Sequence, residues 1–341
     1  MLLVAGLCCW GLWANTLKMA QKWRYELYAV DFAVGFAVLA LVAALTLGSL
    51  NSKELTFQDN LAITGYRKIA YCVASGFTFG LGSYLLLGAI TAAGLAVGFT
   101  LSLGIAMVIG VGITIGSGGQ GNLVPQAVAA ACALGAVVIA AYTHAARADA
   151  IRHTNEHAAI RPDPRDPRTR SSLPVPVGRG IILGVLSGIF MGIFRVLLDL
   201  GRLGDDGVAP YGAAAIFGGG LLFAMFFFSP LFWNFPVLGR SLSLRDYFKG
   251  SMRNHFLGFL GGVLASIGFL ATLLALAAPT GAKPAALLAF VMGRGDVVLA
   301  GICGLLLWNE FAPAESRTTL LFGSAIVLMA VGIGMAAFTQ I

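Results

Sequence analysis

The sequence predicts an all-α, polytopic membrane protein of ten transmembrane helices, built as two inverted five-helix repeats. Three observations lead to that fold class. Of the 341 residues, 58% are hydrophobic and only 11% are charged, against about 25% charged in soluble domains. A soluble chain of this size would have too little polar material for its own surface. Apolar runs of about 20 residues, the length that crosses a bilayer, follow one another between Gly, Pro and charged breaks. One long polar stretch divides these runs five and five, and an odd number of spans per half makes related halves insert in opposite directions.

The predicted spans cover roughly residues 1–17, 27–48, 69–89, 92–115, 123–143, 180–200, 211–234, 255–277, 284–308 and 318–339. The first run has no basic segment ahead of it and no small-residue cleavage site, and it ends in Trp, Asn and Lys. It is expected to remain as a helix rather than be removed as a signal peptide. Spans three and four are expected to meet in a tight turn around Thr91. The polar stretch, residues 144–179, contains Arg161-Pro-Asp-Pro-Arg-Asp-Pro-Arg-Thr-Arg170, then Pro174 and Pro176. That composition cannot pack a core, so it reads as a disordered linker. The domains are then 1–143, the linker 144–179, and 180–341. A faint internal similarity, Thr91-Ala-Ala-Gly94 against Thr280-Gly-Ala-Lys283, supports the repeat.

Lys and Arg bias sets the orientation. Fifteen lie in the loops after the odd-numbered spans, seven of them in the linker, against five in the opposite loops. The linker is therefore expected in the cytoplasm and both termini outside, in a cell (plasma or inner) membrane. The net charge of +7 is explained by this topology, so no nucleic acid partner is expected. Cys8, Cys9, Cys72, Cys132 and Cys303 all lie in apolar runs without metal spacing. His153-Thr-Asn-Glu156-His157 matches the H-x-x-E-H protease pattern, but no surrounding domain exists to supply a third ligand. Without a P-loop, a G-x-S-x-G or a metal-binding Cys pair, the chain is not expected to be an enzyme or to need a cofactor.

Small residues mark helix contacts. Gly180, Gly184, Gly188 and Gly192 recur every fourth residue in span six, and Gly76/Gly80, Gly94/Gly98 and Gly258/Gly262 repeat the spacing. Such faces let backbones approach closely.

Ionisable residues at membrane depth are costly and mark sites or paired bridges. Arg294 and Asp296 interrupt span nine in the run Gly293-Arg294-Gly295-Asp296. Two residues apart, they point about 200° from each other on a helix, so each needs a partner elsewhere or the helix is locally broken. Arg195 and Asp199 in span six share a face within about two turns of its outer end, where an interfacial salt bridge is expected; alternatively, Asp199 pairs with Arg294 or carries a proton. In span one, Cys8, Gly11 and Asn15 share a face flanked by Trp10 and Trp13, an aromatic wall beside an amide that suits a flat polar ligand. Trp at a span end is also an ordinary interfacial anchor. Asp31, one turn into span two, is an interfacial acid or a partner of the basic first loop, and His255 is expected at an interface. Ser83, Tyr84, Thr100 and Ser102 are candidates to line a cavity, although hydroxyls also bond back to their own helix.

Several of these segments, in order along the chain, resemble one family. They are Gly11-Leu-Trp13, Asp31-Phe32, Phe57-Gln-Asp-Asn60, Leu81-Gly-Ser83 with Thr100, Leu238-Gly-Arg240, Tyr247, Phe259-Leu-Gly-Gly262 and Gly304-Leu-Leu-Leu-Trp-Asn-Glu310. The layout is similar to the drug/metabolite transporter superfamily and, within it, to the ureide permeases of plants and their bacterial relatives. The resemblance implies uptake of small polar heterocycles such as allantoin or nucleobases, coupled to an ion. The sugar-uptake and rhamnose–proton symporters of the same superfamily have a similar layout. Arg294 and Asp296 depart from the ureide permease pattern, which points to a different and charged ligand.

The expected activity is secondary active transport by alternating access. Substrate contacts are expected from Trp13, Asn15, Ser83, Tyr84, Thr100 and Arg294, and ion coupling from Asp296 with Asp199 or Asp31. The expected partners are a small polar solute, H+ or Na+ as coupling ion, and the lipid bilayer, with a homodimer allowed. A metabolite or drug exporter is the second reading, although span one lacks the acidic residue of the small exporters. A membrane-embedded enzyme or a scaffold is the alternative outside transport.

Overall fold

A computed structural model describes residues 2–20, 23–50, 56–116, 122–159, 176–237, 239–277, 294–312 and 314–338. These residues form helices α1 Leu2–Leu12, α2 Asn15–Met19, α3 Tyr25–Leu45, α4 Phe57–Ile63, α5 Tyr66–Ala93, α6 Leu95–Gly116, α7 Leu123–Ala159, α8 Val177–Arg202, α9 Pro210–Asn234, α10 Leu244–Phe248, α11 Met252–Ala277, α12 Asp296–Ile302 and α13 Ser316–Ala337. A π-helical turn, Cys303–Leu307, continues α12.

Eight helices among the described residues are long and apolar enough to cross a membrane. They are α3, α5 to α9, α11 and α13, and they correspond to predicted spans two to eight and ten. The chain is a polytopic helical membrane protein. Span one appears as the shorter α1 and α2. The described part of span nine is the apolar segment Asp296–Leu307; residues 284–293 of that span, with Gly293, lie outside the described residues. So do residues 160–175 of the linker, Leu238, and Thr280-Gly-Ala-Lys283.

Three boundaries differ from the predicted ones, each for a local reason. Span one is not continuous: α1 stops at Leu12, and the Asn15 amide donates to the Leu12 carbonyl (3.0 Å) while the Thr16 hydroxyl donates to that of Trp13 (2.7 Å). Side chains thus satisfy carbonyls that a broken helix leaves free. The turn between α5 and α6 falls at Gly94 rather than Thr91. Gly94 has φ +102°, a conformation glycine adopts without Cβ strain, whereas Thr91 stays helical and bonds back to Leu87 (2.8 Å). Finally, α7 runs on to Ala159, through the first part of the expected linker. The stretch Ala145-Ala-Arg-Ala-Asp-Ala is rich in the strongest helix former, and alanine propensity outweighs its polar neighbours.

The helices pack in pairs: α3 with α11, α5 with α9, α5 with α8, α11 with α1, α6 with α8, α12 with α1, and α7 with α13. Two of these crossings share one device. On α3 and α11, Gly35 lies against the Phe259 carbonyl and Gly262 against the Phe32 carbonyl. On α5 and α9, Gly76 lies against the Phe217 carbonyl and Gly220 against the Val73 carbonyl. The span-six glycines face α6: Gly184 meets Leu101, Gly188 meets Ser102 and Ile105, and Gly192 meets Ile109. A hydroxyl pair, Ser102 and Ser187 (2.7 Å), pins the same contact, and Ser187 also donates to the Gly82 carbonyl of α5 (2.8 Å). At the centre, Phe36, Phe79, Phe217 and Phe269 form an aromatic plug, with Phe217 stacked on Phe269 at 4.4 Å between ring centroids.

Candidate functional site

Beside the aromatic plug lies a charged cavity of two lobes. One is lined by α6, α8, α12 and α13 and contains Arg195, Asp199, Arg294 and Asp296. The other is bounded by Trp10, Phe194, Phe269 and Thr272 and shares Arg195, Asp199 and Arg294 with the first. Helix α8 supplies Arg195 and Asp199 one turn apart. Arg195 lies 5.5 Å from the centroid of the Phe194 ring, a cation–π distance. Asp199 sits in the field of Arg202, Arg195 and Arg294. Asp296 opens α12, is only 5% exposed, and sits in the field of Arg195 and Arg294 with its own and Val297's backbone amides directed at it. Asp199 and Arg294, both from the second half of the chain, line the same space.

The cavity occupies the end of the bundle where Arg202 donates to the Leu273 carbonyl and Lys68 to that of Leu200 (3.2 Å). The opposite end carries most of the described Lys and Arg residues, and there polar side chains lock the helices together. Glu310 receives the backbone amides of Leu95 (2.7 Å) and Ala96 (3.0 Å) at the start of α6, and an ion pair from Lys18 (2.5 Å). Carboxylates belong at helix N-termini, where amides lack partners. Arg147 closes the same corner by donating to the Ala93 carbonyl (2.9 Å). Glu26, fully buried, pairs with Arg24 (2.5 Å), which also bonds the Arg240 carbonyl. The Glu26 carbonyl accepts from Tyr84 (3.0 Å) and Trp233 (3.2 Å). Asp31 accepts from Tyr247 (2.5 Å) and meets His255 Nδ1 at 3.0 Å. Burial and the Asp31 carboxylate beside it push the Tyr247 hydroxyl above its ordinary value. The Ser243–Asp246 capping box that starts α10 positions Tyr247 for this bond.

Of the residues expected to bind substrate, Arg294 alone lines the cavity. Trp13 is 1% exposed and packed between Phe32 (4.7 Å) and Phe99 (6.0 Å). The Asn15 carbonyl oxygen accepts from Trp308 (2.7 Å), joining the break in span one to the π-helical end of span nine. Ser83 is fully buried, Tyr84 is stacked on Phe232 (4.6 Å), and Thr100 bonds back to Ala96 (2.9 Å). Asn15, Tyr84 and Thr100 thus spend their polar groups on a neighbouring helix or their own carbonyls, Trp13 is packed in the core, and the buried Ser83 hydroxyl meets no hydrogen-bond partner among the described residues. Of the expected ion-coupling residues, Asp296 and Asp199 face the cavity; Asp31 sits at the locked end, held by Tyr247 of α10 and His255 of α11. Trp10 and Arg195 join the site, and the sequence offers both. Glu26, Glu310 and Lys18 form a bracing layer that the sequence did not predict; all three lie just beyond the ends of predicted spans. Among the described residues no cluster of His, Cys, Asp and Glu is arranged to hold a metal ion.

The clamp at Glu310 makes a direct prediction. Glu310→Ala strips two buried amides of their acceptor and Lys18 of its partner, and each unsatisfied buried donor costs about 1–3 kcal/mol. The variant is expected to lose about 3 kcal/mol of stability, read as a lower unfolding midpoint of detergent-purified protein. Glu310→Gln keeps one carbonyl acceptor and is expected to lose less. An unchanged midpoint in Glu310→Ala would show that the clamp does not hold the bundle.

No family model matches the chain, and no curated protein matches it. A crystal structure of a protein aligns with 99% of this chain and 97% of its own, at 14% identity and a TM-score of 0.50. At that identity the likeness concerns the fold alone.

Proposed function

We propose that this protein is a secondary active transporter of small polar solutes, coupled to an ion and working by alternating access. The observation that carries the reading is the cavity with four ionisable residues, placed between the halves and away from the locked end. Charged groups inside a membrane bundle face cavities that conduct or bind, and a site lined by helices of both halves, nearer one end of the bundle, suits alternating access. Arg195 and Arg294 hold the solute, Asp296 and Asp199 take the coupling proton or sodium ion, and the Lys18–Glu310, Arg24–Arg240 and Asp31–His255 contacts are the bonds that break when the other side opens.

The helix pairing supports ten spans in two inverted repeats, with α12 as part of the ninth. Replace each span by the fifth one after it, counting α1 with α2 as the first: α3–α11 becomes α9–α5, α5–α8 becomes α11–α1, and α6–α8 becomes α12–α1. The contacts α3–α9 and α7–α13 map onto themselves. The glycine crossings transform into each other the same way. By Lys and Arg bias the locked end is cytoplasmic and the cavity faces outward.

Transport is tested in proteoliposomes with a panel of labelled ureides, nucleobases, sugars and amino acids under an imposed proton or sodium gradient. One class is expected to accumulate and to leak out when an ionophore collapses the gradient. If no solute moves under either gradient, the transporter reading fails.

A further inference from the structure

The geometry of the cavity points to a narrower solute than the transporter reading on which it rests: we infer a zwitterion with an apolar side group. The charges are the first reason. Arg195 and Arg294 face Asp199 and Asp296 around one space, two cations and two anions; Arg202, beside Asp199, donates to the Leu273 carbonyl and lines neither lobe. Adding a lone anion or cation there leaves net charge beside Asp296, which is 5% exposed, and that is expensive. A zwitterion adds none, since its carboxylate meets the guanidinium groups, its ammonium meets the carboxylates, and pairs between protein groups become pairs with the solute.

Placement is the second reason. Arg195, Asp199 and Arg294 lie where the two lobes meet, because both lobes share them. A molecule whose opposite charges sit close together fits that junction. Beyond it, the second lobe is walled by Trp10, Phe194 and Phe269, which suit an apolar or aromatic side group.

The third reason is what the lining offers to neutral solutes. A ureide, nucleobase or sugar is recognised by neutral donors and acceptors that match its own, and a site lacking them leaves buried polar groups unpaired. Among the described residues of both lobes, Thr272 and the Trp10 indole are the only neutral polar side chains. The amide of Asn15 and the hydroxyls of Tyr84 and Thr100 are bonded elsewhere, and the buried Ser83 lines neither lobe.

The test uses the full chain in proteoliposomes with radiolabelled phenylalanine, its methyl ester, its N-acetyl derivative, alanine, and allantoin. Phenylalanine is expected to accumulate. Capping either charged end is expected to lower uptake by about tenfold or more, and alanine to be carried less well than phenylalanine. In detergent, phenylalanine is expected to raise the unfolding midpoint of the wild type, and the N-acetyl derivative is not. Arg294→Gln is expected to remove the phenylalanine shift; where that variant does not fold, the wild-type binding comparison stands alone as the test. Accumulation of allantoin without phenylalanine would overturn the zwitterion and leave the transporter standing. N-acetylphenylalanine carried as well as phenylalanine would overturn it in favour of a simple anion site. If nothing in the panel moves and nothing raises the midpoint, the zwitterion inference falls together with the transporter reading.

Discussion

Asp296→Asn is expected to abolish gradient-driven accumulation of solute while leaving the protein folded. Asparagine has nearly the same shape and can still accept from the amides of residues 296 and 297 at the start of α12. What it cannot do is carry a negative charge or bind and release a proton. Asp296 is the most enclosed acid of the cavity, 5% exposed, and it sits in the field of Arg195 and Arg294. A buried carboxylate whose charge is balanced by nearby cations changes its ion occupancy when a solute displaces those cations, and that is the coupling a symporter needs. Asp199 is more open to solvent in the same cavity, so Asp199→Asn is expected to slow transport without ending accumulation. Uptake is measured with and without an imposed gradient, and exchange of labelled for unlabelled solute is followed in the same vesicles. Asp296→Asn should keep exchange and lose the concentrating power, by about tenfold or more, the range that follows from losing one charge interaction of 1.4 kcal/mol or more. Accumulation at wild-type levels would remove Asp296 from coupling and leave it a structural partner of the arginines.

The spans were legible in the sequence because the membrane imposes a simple rule. Every backbone group must be satisfied within its own helix, so long apolar runs predict helices, and those predicted for spans two to eight and ten do form. Part of the charged site was legible for a related reason: Arg294 and Asp296 are too costly in mid-span to be incidental, whereas Arg195 and Asp199, near a span end, read equally as an interfacial bridge. The neutral polar residues were not legible. Trp13 and Asn15 share a face in span one just as a binding wall would, yet the ring fills a gap between Phe32 and Phe99 and the amide meets Trp308. Which side of a buried helix meets a cavity depends on neighbours that periodicity does not name. The Glu310 clamp was out of reach for another reason, since the amides it caps lie 215 and 214 residues earlier in the chain. The helical extension of α7 was readable from its alanines, but the proline-rich segment beyond it dominated the composition.

The glycine crossings carry the second large effect, and they test the repeat rather than the site. At Gly262, a Cβ would occupy the space of the Phe32 carbonyl oxygen, and at Gly76 that of Phe217. Backbone cannot rotate away as a side chain does, so the helices must separate, and overpacking of this kind costs about 3 kcal/mol at the upper end of its usual range. Gly76→Ala and Gly262→Ala are therefore each expected to lower the unfolding midpoint strongly. Gly219→Ala, one residue before Gly220 on α9, meets nothing within 4 Å. It is expected to be neutral or mildly stabilising, because alanine is the better helix former. If the halves are inverted repeats, Gly76 and Gly262 occupy equivalent places, as do Gly35 and Gly220, so the loss within each equivalent pair should be similar. Thermal unfolding of the four alanine variants and the Gly219 control, followed by circular dichroism in one detergent, decides this. A severe loss at Gly262 beside a negligible one at Gly76 would mean that the two crossings bear load differently, and the twofold relation would then rest on helix order alone. Matched losses would tie the relation to the contacts where the halves interlock, since α3 with α11 and α5 with α9 each join one half to the other.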